Sequence, residues 1–327
     1  MKKIHVAVAV IEFDNQFLLG FRNEKQHQGN RYEFIGGKID NNESPKSALI
    51  REIHEETGVD ITDNPIIKMG QIHHDYSDKS VMLHIFKVIF NKSQFDNLQG
   101  GTGAENQPII WVKKEDLLVK KYNLPDANAR ILEWLTLPNQ IIISQELADF
   151  DNEKIAKSQE NWVDFYANHL PKNTHFYARP KDNRANNCLV INELQKLRDD
   201  VKIFASASDT ADLQINPNIV VLTHTDFADN FNNLPTNFRY FASCHTLDEI
   251  IKINQLSKMH TVLGIFLSPV KLTKTHPSAV PLGFESFAEL ANQSHVPVFA
   301  LGGLSPNDCK NAQRYGAYGV SGIRGFL

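Results

Sequence analysis

Between Gly37 and Val59 the chain reads GKIDNNESPKSALIREIHEETGV, and five of these side chains are suited to phosphate chemistry: Glu43, Arg51, Glu52, Glu55 and Glu56. On a helix, residues three and four apart share a face, so Glu52, Glu55 and Glu56 project together. Carboxylates held that close repel and raise one another's pKa, which calls for a cation to offset them. Hard divalent cations favour carboxylate oxygens. They also neutralise phosphate oxygens and turn a bound water into a nucleophile. Arg51 can orient a carboxylate through its planar fork. The Gly36-Gly37 pair lets backbone approach the site and can lend a carbonyl to an ion. The bland alternative is a solvated acidic face with no role, since most charge runs lie on the surface.

The elements that must position these groups follow from pattern. Residues 4 to 12 read as a strand, with Gln16–Phe21 as its hairpin partner across an Asp14-Asn15 turn. After a polar loop and the glycine pair, Ser44 fits a helix N-cap and Pro45 the first helical position. Ala48, Leu49 and Ile53 repeat at helical spacing, and Gly58 fits the stop. Strands are expected near 66–73 and 81–90, then a Gly-rich loop over 99–107, a short strand (IIWV) and a closing helix over 126–135. This α+β unit ends near Leu137. From residue 138 onward, strand-like runs alternate with helical ones. The strands are QIIIS (140–144), THFYAR (174–179), KIFASAS (202–208), IVVLTH (219–224), RYFASCH (239–245), TVLGIFLSP (261–269), PVFALGG (297–303) and GVSGIRGF (319–326). The helices are expected over 152–170, 190–198, 247–256, 284–293 and 306–315. Eight such strands fit a (β/α)8 barrel with some short crossovers, and an open doubly wound sheet is the competing arrangement.

Length and composition bound the rest. The 327 residues suggest two domains, 1–137 and 138–327. A net charge of −4 gives no reason to expect broad affinity for nucleic acid or membranes. Cys188, Cys244 and Cys309 are scattered without metal-ligand spacing, which fits a reducing cytoplasm. MKKIHVAVAVIEF reads as a first strand rather than a signal peptide. No uninterrupted apolar run is long enough to span a bilayer.

Written as G-x5-E-x7-R-E-U-x-E-E-x-G-U, with U apolar, the acidic segment fills every fixed position with Gly37, Glu43, Arg51, Glu52, Ile53, Glu55, Glu56, Gly58 and Val59. It is identified as a Nudix box. The resemblance implies a Nudix fold, a mixed sheet between helices, that cleaves a diphosphate linkage with magnesium, or manganese in its place. It implies Glu55 and Glu56 as metal ligands, with Gly36 and Gly37 beside them. Glu52 would bind metal or take the proton of the attacking water, and Glu43 and Arg51 would brace it. The flanks resemble the MutT-type 8-oxo-dGTP pyrophosphatases, through MKKIHVAVAVI, NRYEFIGGKI and LPDAN. Asn128 stands where that family reads the oxidised guanine edge, although a helix cap is the alternative. Phe34 matches an apolar base contact, Arg22 and His27 match positions near base and phosphate, and Tyr76 is a further wall. Glu105, in AENQP, matches another catalytic carboxylate and metal ligand. Ile35 departs from the proline usual before the glycine pair. The implied reaction is water attack on the β-phosphorus of a nucleoside triphosphate, giving the monophosphate and pyrophosphate.

Most of residues 140–327 resembles thiamine phosphate synthase and its thiazole tautomerase relatives, which implies a TIM-type (β/α)8 barrel. FYARPK keeps Arg179 and Lys181 but places Tyr177 where Gln is usual, and FASCHTLDEI resembles a second family segment. SPVKLTKTH keeps Thr273 and Thr275 but places His276 where Lys is usual. Gly302, Gly303, Ser321 and Gly322 match phosphate-binding strand ends. Asp226 stands at one acidic metal position, whereas the region of the Asn-Asp pair reads IFASAS. These departures favour a pocket for a thiamine-type phosphate over synthase catalysis. The alternatives are a Nudix domain acting on a thiamine-pathway diphosphate, or a barrel that senses a phosphate ligand or docks the enzyme.

Overall fold

The computed structural model describes residues 3–24, 29–75, 80–150, 155–227, 231, 234–273 and 280–327. It divides into two compact units, Met1–Leu137 and Pro138–Leu327.

The first unit runs β1 (Lys3–Phe13), β2 (Gln16–Arg22), β3 (Arg31–Glu33), β4 (Ile35–Lys38), α1 (Pro45–Thr57), β5 (Ile66–Asp75), β6 (Ser80–Ile89), α2 (Lys92–Asn97), β7 (Ile109–Lys113), α3 (Lys114–Leu118) and α4 (Ala129–Leu135). Its mixed sheet has the order β3-β2-β1-β6-β5, with β4 added to β1 and β7 to β2. The β1–β2 hairpin turns through Asp14 and Asn15, both left-handed at φ 44° and 61°. Two such residues match the twist of the flanking strands. β3, β4, α2 and α3 are elements that residue pattern did not reveal. They are three to six residues long, too short for periodicity to register, and the strands form because neighbouring strands supply open backbone groups. β4 matters most: Gly36 pairs with Val8 and Gly37 with Ala7, which fixes the glycines against the central strand.

Helix α1 forms where composition demands it. Ser44 accepts a hydrogen bond from Ser47 N, Pro45 opens the first turn, and Gly58 closes the helix at φ 73°. Such a cap contributes about 1 kcal/mol. Ala48, Leu49 and Ile53 are buried with Ala7, Ala9 and Ile11 of β1. Burying an apolar side chain of the size of Leu49 or Ile53 stabilises by about 1.5–3 kcal/mol. That contact clamps one stripe of α1 to the sheet and leaves its acidic face turned toward β4.

The second unit runs β8 (Gln140–Ile143), α5 (Ile155–His169), β9 (His175–Tyr177), α6 (Arg184–Leu197), β10 (Lys202–Ser206), α7 (Ala207–Thr210), β11 (Ile219–Leu222), β12 (Arg239–Cys244), α8 (Leu247–Leu256), β13 (Thr261–Leu267), α9 (Gly283–Gln293), β14 (Val298–Leu301), α10 (Cys309–Arg314) and β15 (Gly319–Gly322). The eight strands close into a barrel in the order β10-β11-β12-β13-β14-β15-β8-β9, every pair parallel. The open sheet is therefore excluded. The barrel fits its short length because α7 is a single turn, and the described part of the β11–β12 connection holds a 3-10 turn at His224–Phe227. Helix α6 starts at Arg184, six residues before the expected 190. Asn183 caps it, and its polar first turn hides the start from any apolar count. Tyr177 on β9 and Phe266 on β13, four strands apart, stack with ring centroids 5.8 Å apart. That contact is possible only across the interior. With Phe204, Phe241 and Phe299 it fills the barrel as a packed core. Among the described residues no helix is long and apolar enough to cross a membrane.

Candidate active site

Two segments of the first unit converge, β4 with its glycine pair and the acidic face of α1. Gly36 N donates to Glu56 Oε1 at 3.1 Å. Gly36 sits at φ 147°, and a Cβ there would lie 2.1 Å from the carbonyl oxygen of Ala7. A Cβ on Gly37 would lie 2.2 Å from Glu52 Oε2. The carboxylate of Glu52 thus occupies the place that a side chain on residue 37 would take. One glycine is required by backbone, the other by a side chain of α1.

Arg51 gathers the remaining acids. Its Nε and Nη2 donate to the two oxygens of Glu43 at 3.0 Å each, a bidentate pair. Nη1 donates to Glu52 Oε1 at 2.8 Å and to Glu55 Oε2 at 3.0 Å, and Nη2 also reaches Lys38 O at 3.0 Å. The guanidinium holds the Glu43 carboxyl below the usual carboxylate range. Burial raises the Glu52 carboxyl, opposed by Arg51 and assisted by the charges of Glu55 and Glu43. Burial also pushes Glu56 up to about 7; the Gly36 N–H opposes this, and the charges of Glu33 and Glu52 add to it. Glu52 keeps 15% of its side chain exposed and Glu55 50%, so both remain reachable from solvent.

The donor set fits a hard divalent cation in chemistry: mutually repelling carboxylate oxygens of Glu43, Glu52 and Glu55 share the guanidinium of Arg51. In this side-chain arrangement, and among the described residues, no three His, Cys, Asp or Glu groups converge closely enough to hold an ion. Arg51 meanwhile bonds both Glu52 and Glu55. Glu105 stands on the loop after α2, its amide donating to Gln107 Oε1 at 3.1 Å.

Two residues near the site escaped the sequence reading. Glu33, at the end of β3, is ion-paired with Arg22, and burial raises its carboxyl despite that pair. Gln107 donates to Glu56 O at 3.0 Å and lies 3.5 Å from Glu56 Oε2.

The residues expected to contact a base are partly in view. Phe34 is buried. Arg22 faces Glu33 across the β2–β3 pair rather than standing free. Asn128 is buried in a 3-10 turn before α4 and makes no side-chain cap to that helix, so the capping alternative is gone. His27, Tyr76, Thr275 and His276 lie outside the described residues.

In the second unit the expected phosphate residues fall at the C-terminal ends of the parallel strands, on one rim. Arg179 follows β9, its amide donating to Ser144 Oγ at 2.8 Å. Lys181 donates to Glu146 Oε1 at 2.6 Å, so its charge is already partnered. Thr273 follows β13. Gly302 and Gly303 follow β14 and pack against Pro269 and Lys271–Leu272, and Gly322 lies under the Phe326 ring. Ser321 is fully buried, its hydroxyl 3.5 Å from Ala300 O. Asp226 accepts from Thr223 N and Oγ1 at 2.6 and 2.8 Å. Asp209 is a second acid at this rim that the sequence did not reveal. It is buried, and it accepts from Ser206 Oγ at 2.5 Å and Asn187 Nδ2 at 3.3 Å. It sits on α7, just past the strand end where an acid was sought. Burial pushes the Tyr177 hydroxyl up to about 12; the charge of Arg179 opposes this, and those of Asp209 and Asp226 add to it.

Comparison with known proteins finds relatives of each part. A NUDIX domain model matches residues 6–134, and a thiamine monophosphate synthase model matches residues 234–326. An 8-oxo-dGTP diphosphatase of Proteus vulgaris is 36% identical over 100 residues, 30% of this chain and 88% of that protein. A CTP pyrophosphohydrolase of Escherichia coli is 33% identical over 134 residues, 41% of this chain and 91% of that protein. A putative thiamine-phosphate synthase 2 of Aquifex aeolicus is 41% identical over 63 residues, 19% of this chain and 34% of that protein.

Proposed function

This chain belongs to the Nudix family of pyrophosphohydrolases through its N-terminal unit and carries a thiamine-phosphate synthase domain in its C-terminal unit, and from that premise we propose that it hydrolyses 8-oxo-dGTP to 8-oxo-dGMP and pyrophosphate. The observation that carries the chemistry is the meeting of Glu52 and Glu56 with the Gly36-Gly37 segment under the fork of Arg51. The support for the base is the buried Asn128, whose amide caps no helix and presents a donor and an acceptor side by side.

Glu52, Glu55 and Glu56, the Gly36-Gly37 backbone and Glu105 are the groups that would hold magnesium, or manganese in its place. When bound, such an ion offsets phosphate charge and lowers the pKa of a coordinated water. Glu52, raised by burial yet reachable from solvent, accepts the proton of the attacking water. Arg51 and Glu43 hold that carboxylate in line. Phe34, Asn128 and Arg22 are the residues assigned to the base, whose fixing would orient the β-phosphorus toward the water. Removal of 8-oxo-dGTP from the nucleotide pool serves mutation avoidance.

The barrel rim is assigned a thiamine-type phosphate, held by Arg179 and by the backbone after β14 and β15, with binding rather than synthase turnover as its role. The CTP-hydrolysing relative makes a pyrimidine triphosphate the competing substrate. Turnover of 8-oxo-dGTP in 18O-labelled water, with magnesium, tests the reaction. Label in pyrophosphate, and loss of turnover in Glu52→Gln, is the expected result. Label in the nucleoside monophosphate, or full activity in the variant, would overturn the mechanism.

A further inference from the structure

Glu56 and Glu105 sit on separate elements, and the structure shows one side chain tying them together. The Gln107 amide donates through Nε2 to Glu56 O at 3.0 Å, with Glu56 Oε2 3.5 Å away. Its Oε1 accepts the Glu105 amide at 3.1 Å. Its backbone carbonyl accepts Gly103 N at 2.8 Å, while Ala104 N donates to the same Glu56 O at 2.8 Å. The last carbonyls of a helix lack partners within it. Here the carbonyl of Glu56 takes two donors from one loop. The junction has no slack: a Cβ on Gly103 would lie 2.6 Å from both Gln107 Oε1 and Glu56 O.

Resting on the Nudix reading above, we propose that Gln107 is a positioning residue, a strut that fixes the Glu105 loop to the catalytic helix and aims the Glu56 carboxylate. Gly36 N holds one oxygen of that carboxylate and Gln107 faces the other. The role demands an amide. The same side chain must donate to an acceptor-only carboxylate and accept from a backbone N–H, which neither a carboxylate nor an apolar group of equal size can do. Glutamate at 107 would place a second acid against Glu56 and leave the Glu56 carbonyl without that donor. Leucine would keep the volume and remove both contacts.

The test compares wild type, Gln107→Leu, Gln107→Glu and Glu56→Gln as full-length chains. Binding of Mn2+ alone is read by electron paramagnetic resonance, amide exchange is read at Ala104 and Glu105, and kcat and KM are measured separately. Outer partners of metal-binding groups are commonly worth about 10–100-fold in affinity or activity. The expected result for Gln107→Leu is about tenfold weaker Mn2+ binding, faster exchange at both amides and a fall in kcat with KM little changed, with Gln107→Glu worse on every count. Wild-type Mn2+ affinity and wild-type kcat in both Gln107 variants would overturn the strut. A wild type that binds no Mn2+ would instead overturn the Nudix metal site on which the strut depends.

Discussion

Glu56→Gln should make the metal-free protein more stable while destroying its activity, and the gain should depend on pH. Burial beside Glu33 and Glu52 moves the Glu56 carboxyl from 4.5 to about 7 in the folded chain. Each pKa unit corresponds to about 1.4 kcal/mol, so the charged form is penalised by about 3 kcal/mol. Below about pH 4.5 the group is protonated whether folded or unfolded, and the penalty is absent. Between 4.5 and 7 the unfolded chain releases its proton first, so folding weakens as pH rises. Above 7 the full penalty applies. Glutamine keeps an oxygen for Gly36 N but faces Gln107 with an unsuitable partner, a loss of about 1 kcal/mol. The net gain at pH 8 is therefore about 2 kcal/mol. Amide exchange at Leu49 and Ile53, with chelator present, reads the stability of this unit without interference from the barrel. The variant should exchange about 30-fold more slowly at pH 8 and show no slowing at pH 4.5. Equal exchange in both proteins at pH 8 would refute the reasoning that Glu56 is charged at a cost. Saturating magnesium should reverse the order, because only the wild type retains the full ligand.

The two glycines of β4 should fail in different ways. Gly36→Ala meets the backbone carbonyl of Ala7 and should lower the melting temperature by several degrees, whereas Gly37→Ala meets only the movable end of Glu52 and should fold normally with kcat reduced at least tenfold. Circular dichroism melts and steady-state rates separate the two. Arg51→Lys keeps a charge but loses the fork that holds Glu43, Glu52 and Glu55 at once. It should reduce kcat about tenfold or more, while metal-free thermal unfolding changes little, as measured by rates and scanning calorimetry. Asn128→Ala should leave turnover of dGTP within about twofold and lower kcat/KM for 8-oxo-dGTP about tenfold, the worth of roughly one buried hydrogen bond.

Much of this architecture was open to inspection in the residues, and the exceptions share a cause. The caps of α1, the β1–β2 turn and the eight barrel strands are local events, written into Ser44, Pro45, Gly58, Asp14-Asn15 and short apolar runs. The Nudix box was legible because its spacing depends on one helix. The short strands β3 and β4 were not, since Arg31–Lys38 carries no alternation and pairs only because β1 and β2 offer edges. Glu33 and Gln107 were hidden for the same reason. Their importance lies in contacts with residues 11 to 51 positions away, Arg22 and Glu56, which no local pattern reports. Asp209 escaped because a one-turn helix carries it past the strand end where an acid was sought. Nor did the sequence show that Arg51 engages Glu52 and Glu55 as well as Glu43, because that depends on rotamers and not on spacing.

The central claim is tested most directly by kcat/KM for 8-oxo-dGTP, dGTP and CTP, measured side by side with magnesium on the full-length protein. The account predicts a preference for 8-oxo-dGTP of at least tenfold over both others, with pyrophosphate released. Equal turnover of the oxidised and ordinary guanine nucleotides, or a preference for CTP, would contradict it.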